Sequence, residues 1–351
     1  MTAKIPVFIK FFLIFGCLTV LAGCSVHQGV FRMKVPELPE ITEAHYRIYD
    51  AGGYPASFEA MIRAADKADA VFVGELHNDP VAHFLEAEIL KAVHRRYKTE
   101  KSRRSVILSL EMFERDVQTV LDEYLSGLIT EMHFLNDSRV WGNYFSDYRP
   151  LVEFARENKI EVLAANAPRR YVNRVSRLGP EALNDLSPKA KIWLAPLPYP
   201  PPSPAYRKKL ENLREKGIMS HTKKENSADG KTGLSEAEEK MLSKIRSETA
   251  YIAEAQSLWD ATMAFSITEA LNHNPGSLVL NINGRFHSEQ KMGIPEHLIR
   301  CRPGTELLTI TVLSENCFPN FDNAFKNLGD FIIITDPKLP RTYTGMNFKG
   351  D

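Results

Sequence analysis

No Cys-x-x-Cys pair occurs among the four cysteines, so a thiolate-bound zinc or an iron–sulfur cluster has no ligand set here. Net charge is also lacking: 44 basic residues balance 44 acidic ones, and nothing global points to nucleic acid as a partner. No repeat of solenoid type is visible, which excludes a stacked-repeat architecture. What remains is ordinary for a globular protein. The 351 residues are 44% apolar and 25% charged, enough to bury a substantial core in one large domain or two smaller ones.

The first residues lie outside that fold. Lys4 and Lys10 flank the start of an apolar run, Phe11 to Leu21, that closes on Leu21-Ala22-Gly23-Cys24. A basic start, an apolar middle and small residues at the end are the parts of a secretory signal. The last four residues resemble a bacterial lipobox. That resemblance implies cleavage before Cys24 and lipid (palmitate among the acyl chains) on its sulfur; Ser25 resembles the outer-membrane sorting pattern. The expected organisation is a signal peptide at 1–23, a tether at 24–42, the main domain at 43–318, and a C-terminal strand and tail at 319–351. The expected location is the bacterial envelope, lipid-anchored at the outer membrane. Cys17 leaves with the signal, so Cys301 and Cys317 remain, either paired in an oxidising compartment or as two buried thiols.

The body is organised around Val71-Phe72-Val73-Gly74-Glu75-Leu76-His77-Asn78-Asp79-Pro80. Its apolar start reads as a buried strand, Gly74 lets the backbone turn, and Asp79-Pro80 caps and opens a helix. Apolar positions 81, 82, 85, 89, 90 and 93 continue that helix to Tyr97. Further strands are expected at Ser105–Leu110, with Glu111 to Glu114 following at its carboxyl end, and at Ile160–Ala165, ending in Asn166-Ala167-Pro168-Arg169-Arg170. Later strands are expected at Ser277–Ile282, Leu307–Leu313 and Phe331–Thr335, with helices over 117–128 and 151–158. This alternation predicts an α/β fold: a mostly parallel central sheet with helices on both faces. A proline-rich stretch, Pro196 to Pro204, breaks the pattern and predicts an inserted helical arm at about 196–250. Ser235 with Glu238 forms a capping box for a long helix reaching Leu271.

Chemistry-bearing residues gather at the strand ends: Glu75 and His77, Glu111, Asn166, and His287 in Asn283-Gly284-Arg285-Phe286-His287. Two Gly-x-x-His turns, about 200 residues apart, each close a strand. In an open parallel sheet such ends converge on one rim, where ligands bind. Two imidazoles with one or two carboxylates can hold a divalent metal ion and an activated water, with a spare carboxylate as general base. Arg169, Arg170 and Arg285 stand beside these turns and can hold an anion such as a propionate. His83, His94, His133, His221, His273 and His297 are read as surface or structural.

Several motifs in order, Val-Gly-Glu-Leu-His-Asn, Leu-Glu-Met-Phe, Ala-Ala-Asn-Ala-Pro-Arg, Ala-Gln-Ser-Leu-Trp-Asp and Asn-Gly-Arg-Phe-His with Gly293-Ile-Pro295, resemble the ChaN-like haem-binding lipoproteins over residues 45 to 315. The resemblance implies an iron-regulated, surface-anchored protein of haem and iron acquisition. It implies two haems stacked face to face between two monomers, a homodimer, and tyrosine as the iron ligand. Haem needs an axial donor, an apolar slot and cations for its propionates. Tyr199 and Tyr206 lie in the proline-rich arm, which could reach a dimer interface; Tyr144, Tyr148 and Tyr171 are the alternatives. No Cys-x-x-Cys-His is present, so covalent attachment is excluded. The same superfamily holds the Tiki-type proteases and erythromycin-esterase-like hydrolases. Matching Gly74/His77, Gly284/His287, Glu75 and Glu111 keeps metal-dependent hydrolysis as the alternative.

Overall fold

A computed structural model describes residues 39–98, 104–213 and 250–343. All of them belong to one compact unit, Val35–Asp351. Cys24, the signal and nearly all of the tether, the capping box at Ser235, and His221 lie outside the described residues. The elements run β1 (Tyr46–Asp50), α1 (Phe58–Ala64), β2 (Ala70–Glu75), α2 (Pro80–Tyr97), β3 (Val106–Glu114), α3 (Gln118–Leu125), α4 (Glu131–Asp137) and α5 (Arg149–Asn158). They continue with β4 (Glu161–Asn166), α6 (Arg169–Leu178), α7 (Pro188–Lys191), a helical run at 204–213, α8 (Ile252–His273), β5 (Leu278–Gly284), α9 (Ile294–Cys301), β6 (Leu307–Ser314) and β7 (Phe331–Thr335).

The strands form one seven-stranded sheet in the order β1-β7-β6-β2-β5-β3-β4, parallel except for β1 against β7. Alternate residues of each inner strand face opposite ways, and both faces are covered. Val71 and Val73 pack with Leu85, Leu90, Leu121 and Leu151 of α2, α3 and α5. Ala70 and Phe72 pack on the other side with Met263, Ile267 and Leu298 of α8 and α9. The helix-flanked, mainly parallel sheet expected from the sequence is therefore the fold.

Strand order decides where a ligand can sit. After β2 the chain crosses to β3 on one side, and after β5 it crosses to β6 on the other. Neighbouring strands whose connections leave in opposite directions part at their carboxyl ends and open a crevice. β2 and β5 are hydrogen-bonded neighbours, with Gly74 opposite Asn283 and Glu75 opposite Gly284. The two Gly-x-x-His turns are thus side by side.

Four expectations need correction. β7 belongs to the sheet, between β1 and β6, and is no part of a separate tail. Glu111 lies inside β3, not beyond its end. The register against β4 shifts between Leu110 and Glu114, and such a bulge re-aims a side chain. The described start of the arm packs down instead of reaching out, with Leu194, Ala195 and Tyr199 buried against Val172, Ala255 and Leu258. Neither reading of Cys301 and Cys317 holds in full: they are free thiols, but Cys301 is exposed and Cys317 half-buried, so neither is a buried thiol. What keeps them from pairing is distance along the sheet, because β6 separates them and eight strand residues span roughly 26 Å.

Candidate functional site

Each glycine of the paired turns makes room for the opposite turn. A Cβ on Gly74 would meet the Arg285 Cα at 2.8 Å, and one on Gly284 would meet the His77 Cε1 and Nε2 at 2.8 Å. Glycine at both positions lets the turns interlock, with His77 lying on the backbone of Gly284. The bulged Glu111 reaches across to accept the Gly284 N–H through Oε2 at 2.7 Å, and its Oε1 stands 3.7 Å from the His287 Nε2. His77, Glu111 and His287 therefore share one space.

On its far nitrogen, His287 Nδ1 is 2.6 Å from the Asp260 Oδ1 of α8. Burial works against a charged ring, but Glu111 and Asp260 outweigh it and raise the His287 pKa to about 9. At neutral pH this imidazole carries its proton. The remaining Asp260 oxygen is buried beside the Tyr206 hydroxyl, and neither has a partner apart from the other. Burial and the Asp260 carboxylate keep that phenol protonated, far above its ordinary range. Lys209, from the same helical run as Tyr206, donates to the Phe286 carbonyl at 2.7 Å and pins the run onto the β5 turn.

Behind His77 lies a second, deeper network. Glu75 is 1% exposed, and its Oε1 meets His77 Nδ1 at 2.7 Å and accepts from the Tyr148 hydroxyl at 2.7 Å. His83 Nδ1 stands 3.1 Å from both Glu75 Oε2 and Glu86 Oε2. Burial opposes the Glu75 charge, yet His83 and His77 hold its pKa well below the usual carboxylate range. Glu86 goes the other way, pushed well up by burial and the Glu75 charge. Among the described residues, Glu75, His83 and Glu86 form a group whose donor atoms all come within 4.8 Å of one another. Of the residues the sequence pointed to, Glu75, His77, Glu111, Asn166 and His287, only Glu75 belongs to this group. Its other members, His83 and Glu86, come from α2, and His83 is among the histidines expected to be surface or structural.

The other expected site residues are placed as follows. Asn166 donates to the Glu111 carbonyl at 3.1 Å and fixes the bulge, offering nothing to the crevice. Arg285 pairs with Glu289 at 3.0 Å, and Arg170 with Asp116 at 2.6 Å. Arg170 also stacks over Tyr171, 4.4 Å from its ring centre, and approaches its hydroxyl at 3.3 Å. Tyr199 and Tyr206 are buried, and the Tyr199 hydroxyl donates to the Glu254 carbonyl at 3.0 Å. Neither presents an oxygen at a surface, contrary to the reading of an outstretched arm, because α6 and α8 supply an apolar bed for it. Tyr144 and Tyr148 are buried too, while Tyr171 is half-buried. Asp260, Glu86 and Asp147 were missed. Glu86 carried a signal, since 82, 86, 89 and 93 form one apolar helix stripe on which an acid is out of place.

The chain belongs to the family described as haem-binding uptake, Tiki superfamily, ChaN, whose model matches residues 61–298. The matched span holds the whole rim just described. Among solved structures, the ChaN of Campylobacter jejuni, which binds haem cofacially, superposes with a TM-score of 0.56 at 19% identity, over 85% of this chain and all of that one. A mutant of the erythromycin esterase EreC in its open conformation gives 0.39 at 15% identity, covering 85% and 83%. A Bacillus cereus protein gives 0.44 at 12% identity, covering 85% and 96%. Curated proteins give no match.

Proposed function

We propose that the protein binds haem as cargo at the bacterial envelope, held there by lipid on Cys24. Two copies close face to face over two stacked haems, with Tyr171 as the iron ligand. The observation that carries this reading is the family match, which spans every residue of the rim. The residues present suit the group. Tyr171 is half-buried with its hydroxyl 3.3 Å from Arg170, Arg169 precedes them on α6, and Leu76, Phe84 and Phe145 are 38%, 36% and 39% exposed on the segments after β2 and before α5. Tyrosine oxygen suits ferric iron, apolar side chains suit the porphyrin faces, and guanidinium groups suit propionates.

Haemin added to the full-length protein in detergent should give a saturable, shifted Soret band at about one haem per chain, with the loaded protein sedimenting as a dimer. Tyr171→Phe should weaken binding at least tenfold and change the band. An unshifted wild-type spectrum would reject haem binding, and an unchanged variant would reject Tyr171. Mass spectrometry of the N-terminal peptide should find acyl chains on Cys24 that Cys24→Ser lacks.

The His287 arrangement supports a second reading, hydrolysis. An imidazolium held by Asp260 can donate a proton to a leaving group or a developing oxyanion, while the Glu111 carboxylate beside it accepts one from water. Turnover of ester or peptide panels should vanish in His287→Ala; turnover surviving both His77→Ala and His287→Ala would place any activity elsewhere.

A further inference from the structure

The cluster behind the rim has an imbalance that the haem reading does not use. Glu75, Glu86 and Asp147 are 1%, 0% and 1% exposed, and among the described residues the possible cations touching them are two imidazoles, His83 at 5% exposed and His77 against Glu75. One oxygen on each acid is satisfied. Tyr148 and His77 serve Glu75 Oε1, Asn143 and Thr342 donate to Asp147 Oδ2 at 2.6 and 2.8 Å, and His83 Nδ1 meets Glu86 Oε2. Of the second oxygens, Glu86 Oε1 and Asp147 Oδ1 are buried with no hydrogen bond, and Glu75 Oε2 has only the His83 Nδ1 at 3.1 Å, which it shares with Glu86. Three acids with two imidazoles leave one carboxyl group without a cation in a space closed to water, a situation that buried groups relieve by holding a proton or by binding a metal.

The histidine is oriented as a ligand. Its Nε2 stands 3.2 Å from Asp147 Oδ2 and 3.2 Å from the His77 carbonyl, two acceptors that fix the N–H there. Nδ1 then faces the two glutamates, 3.1 Å from an oxygen of each, and offers its lone pair there once an ion takes the place of its proton. Donors at right angles around an ion with bonds of about 2.1 to 2.2 Å are about 3 Å apart. A ring nitrogen held by carboxylate and carbonyl while its other nitrogen faces a cation is the usual support of a metal-bound histidine. The cluster is also sealed. Thr342 donates to Asp147, its N–H goes to the Asn78 carbonyl at 3.2 Å, and Asn78 in turn donates to the Tyr343 carbonyl at 3.2 Å.

We infer that Glu75, Glu86 and the Nδ1 of His83 bind one divalent first-row metal ion, enclosed beneath the Arg341–Tyr343 strap. Two carboxylates and one imidazole suit Mn²⁺, Fe²⁺ or Zn²⁺ and disfavour the softer copper sites built on sulfur. Glu75 then joins the two networks, one oxygen on His77 at the rim and the other on the ion. This site neither needs haem nor supplies its ligand.

Elemental analysis of the full-length protein, purified without chelator from cells grown with manganese and zinc, should find about one ion per chain. Chelator treatment followed by dialysis against MnCl₂ should restore it, with the spin-echo spectrum of Mn²⁺ showing one coupled imidazole nitrogen. Glu86→Gln, close in shape, should lose at least 90% of the ion, whereas His77→Ala should keep it. If Glu86→Gln does not fold, the imidazole coupling in the wild type decides by itself. An ion-free wild type that still folds and binds haemin would overturn the site and leave the haem reading standing, the acids then sharing protons. Full occupancy in a folded Glu86→Gln would overturn it equally.

Discussion

Stability should fall by about 3 kcal/mol as the pH is raised from about 6.5 to above 9, and Asp260→Asn should shrink that slope. The buried His287 carries the effect, its pKa lifted to about 9 by Glu111 and Asp260 despite burial. A proton held more tightly in the folded chain than in the unfolded one stabilises the fold fully below the unfolded pKa near 6.5. That contribution is then lost as the pH rises through 9. His77 is shifted the same way, raised by Glu75 and Glu111 against burial, and adds to the slope. At pH 6 the Asn variant should already be destabilised by about 3 to 5 kcal/mol, because it strands a buried charge. Urea unfolding at about pH 6, 8 and 10 measures both. A variant that keeps the wild-type slope would assign the alkaline loss to other groups.

Gly74→Ala should cost about 1 to 3 kcal/mol and disorder both turns together. The added methyl would sit 2.8 Å from the Arg285 Cα and 3.0 Å from the Ser288 Oγ. Backbone cannot swing aside as a side chain can, so the β5 turn must lift. That movement carries His287 away from Glu111 and slackens the hold of Lys209 on the Phe286 carbonyl. Gly284→Ala meets only the His77 ring at that distance, together with Glu111 Oε2 at 3.7 Å, and should displace His77 while leaving the β5 turn in place. Chemical-shift changes spread over residues 284–289 in the first variant and confined to the neighbourhood of His77 in the second are the expected pattern. Equal and local changes in both would mean that the turns are not interlocked.

Much of this protein was legible along the chain. Short continuous apolar runs marked the inner strands and a period-3.6 pattern the α2 helix, since burial of both faces writes the first and burial of one face the second. Glycine before histidine at two strand ends flagged the rim, because a turn with no room for a Cβ leaves few residue choices. β1 was not marked, being five residues long at the sheet edge, where only Ile48 and Tyr49 are buried.

Contacts made across the sheet were beyond the reach of any local pattern. Only the strand order puts β2 beside β5, and only the bulge in β3 turns Glu111 toward Gly284. Asp260 looks like one more polar residue of a long helix until α8 packs it against His287. Tyr206 looks like an exposed arm residue until the arm is seen to fold inward. Sequence alone therefore determined the fold class, the family motifs and which turns carry the imidazoles. Tertiary structure decided which carboxylate each imidazole meets, because charge pairing depends on separations of a few ångströms that a one-dimensional spacing does not encode.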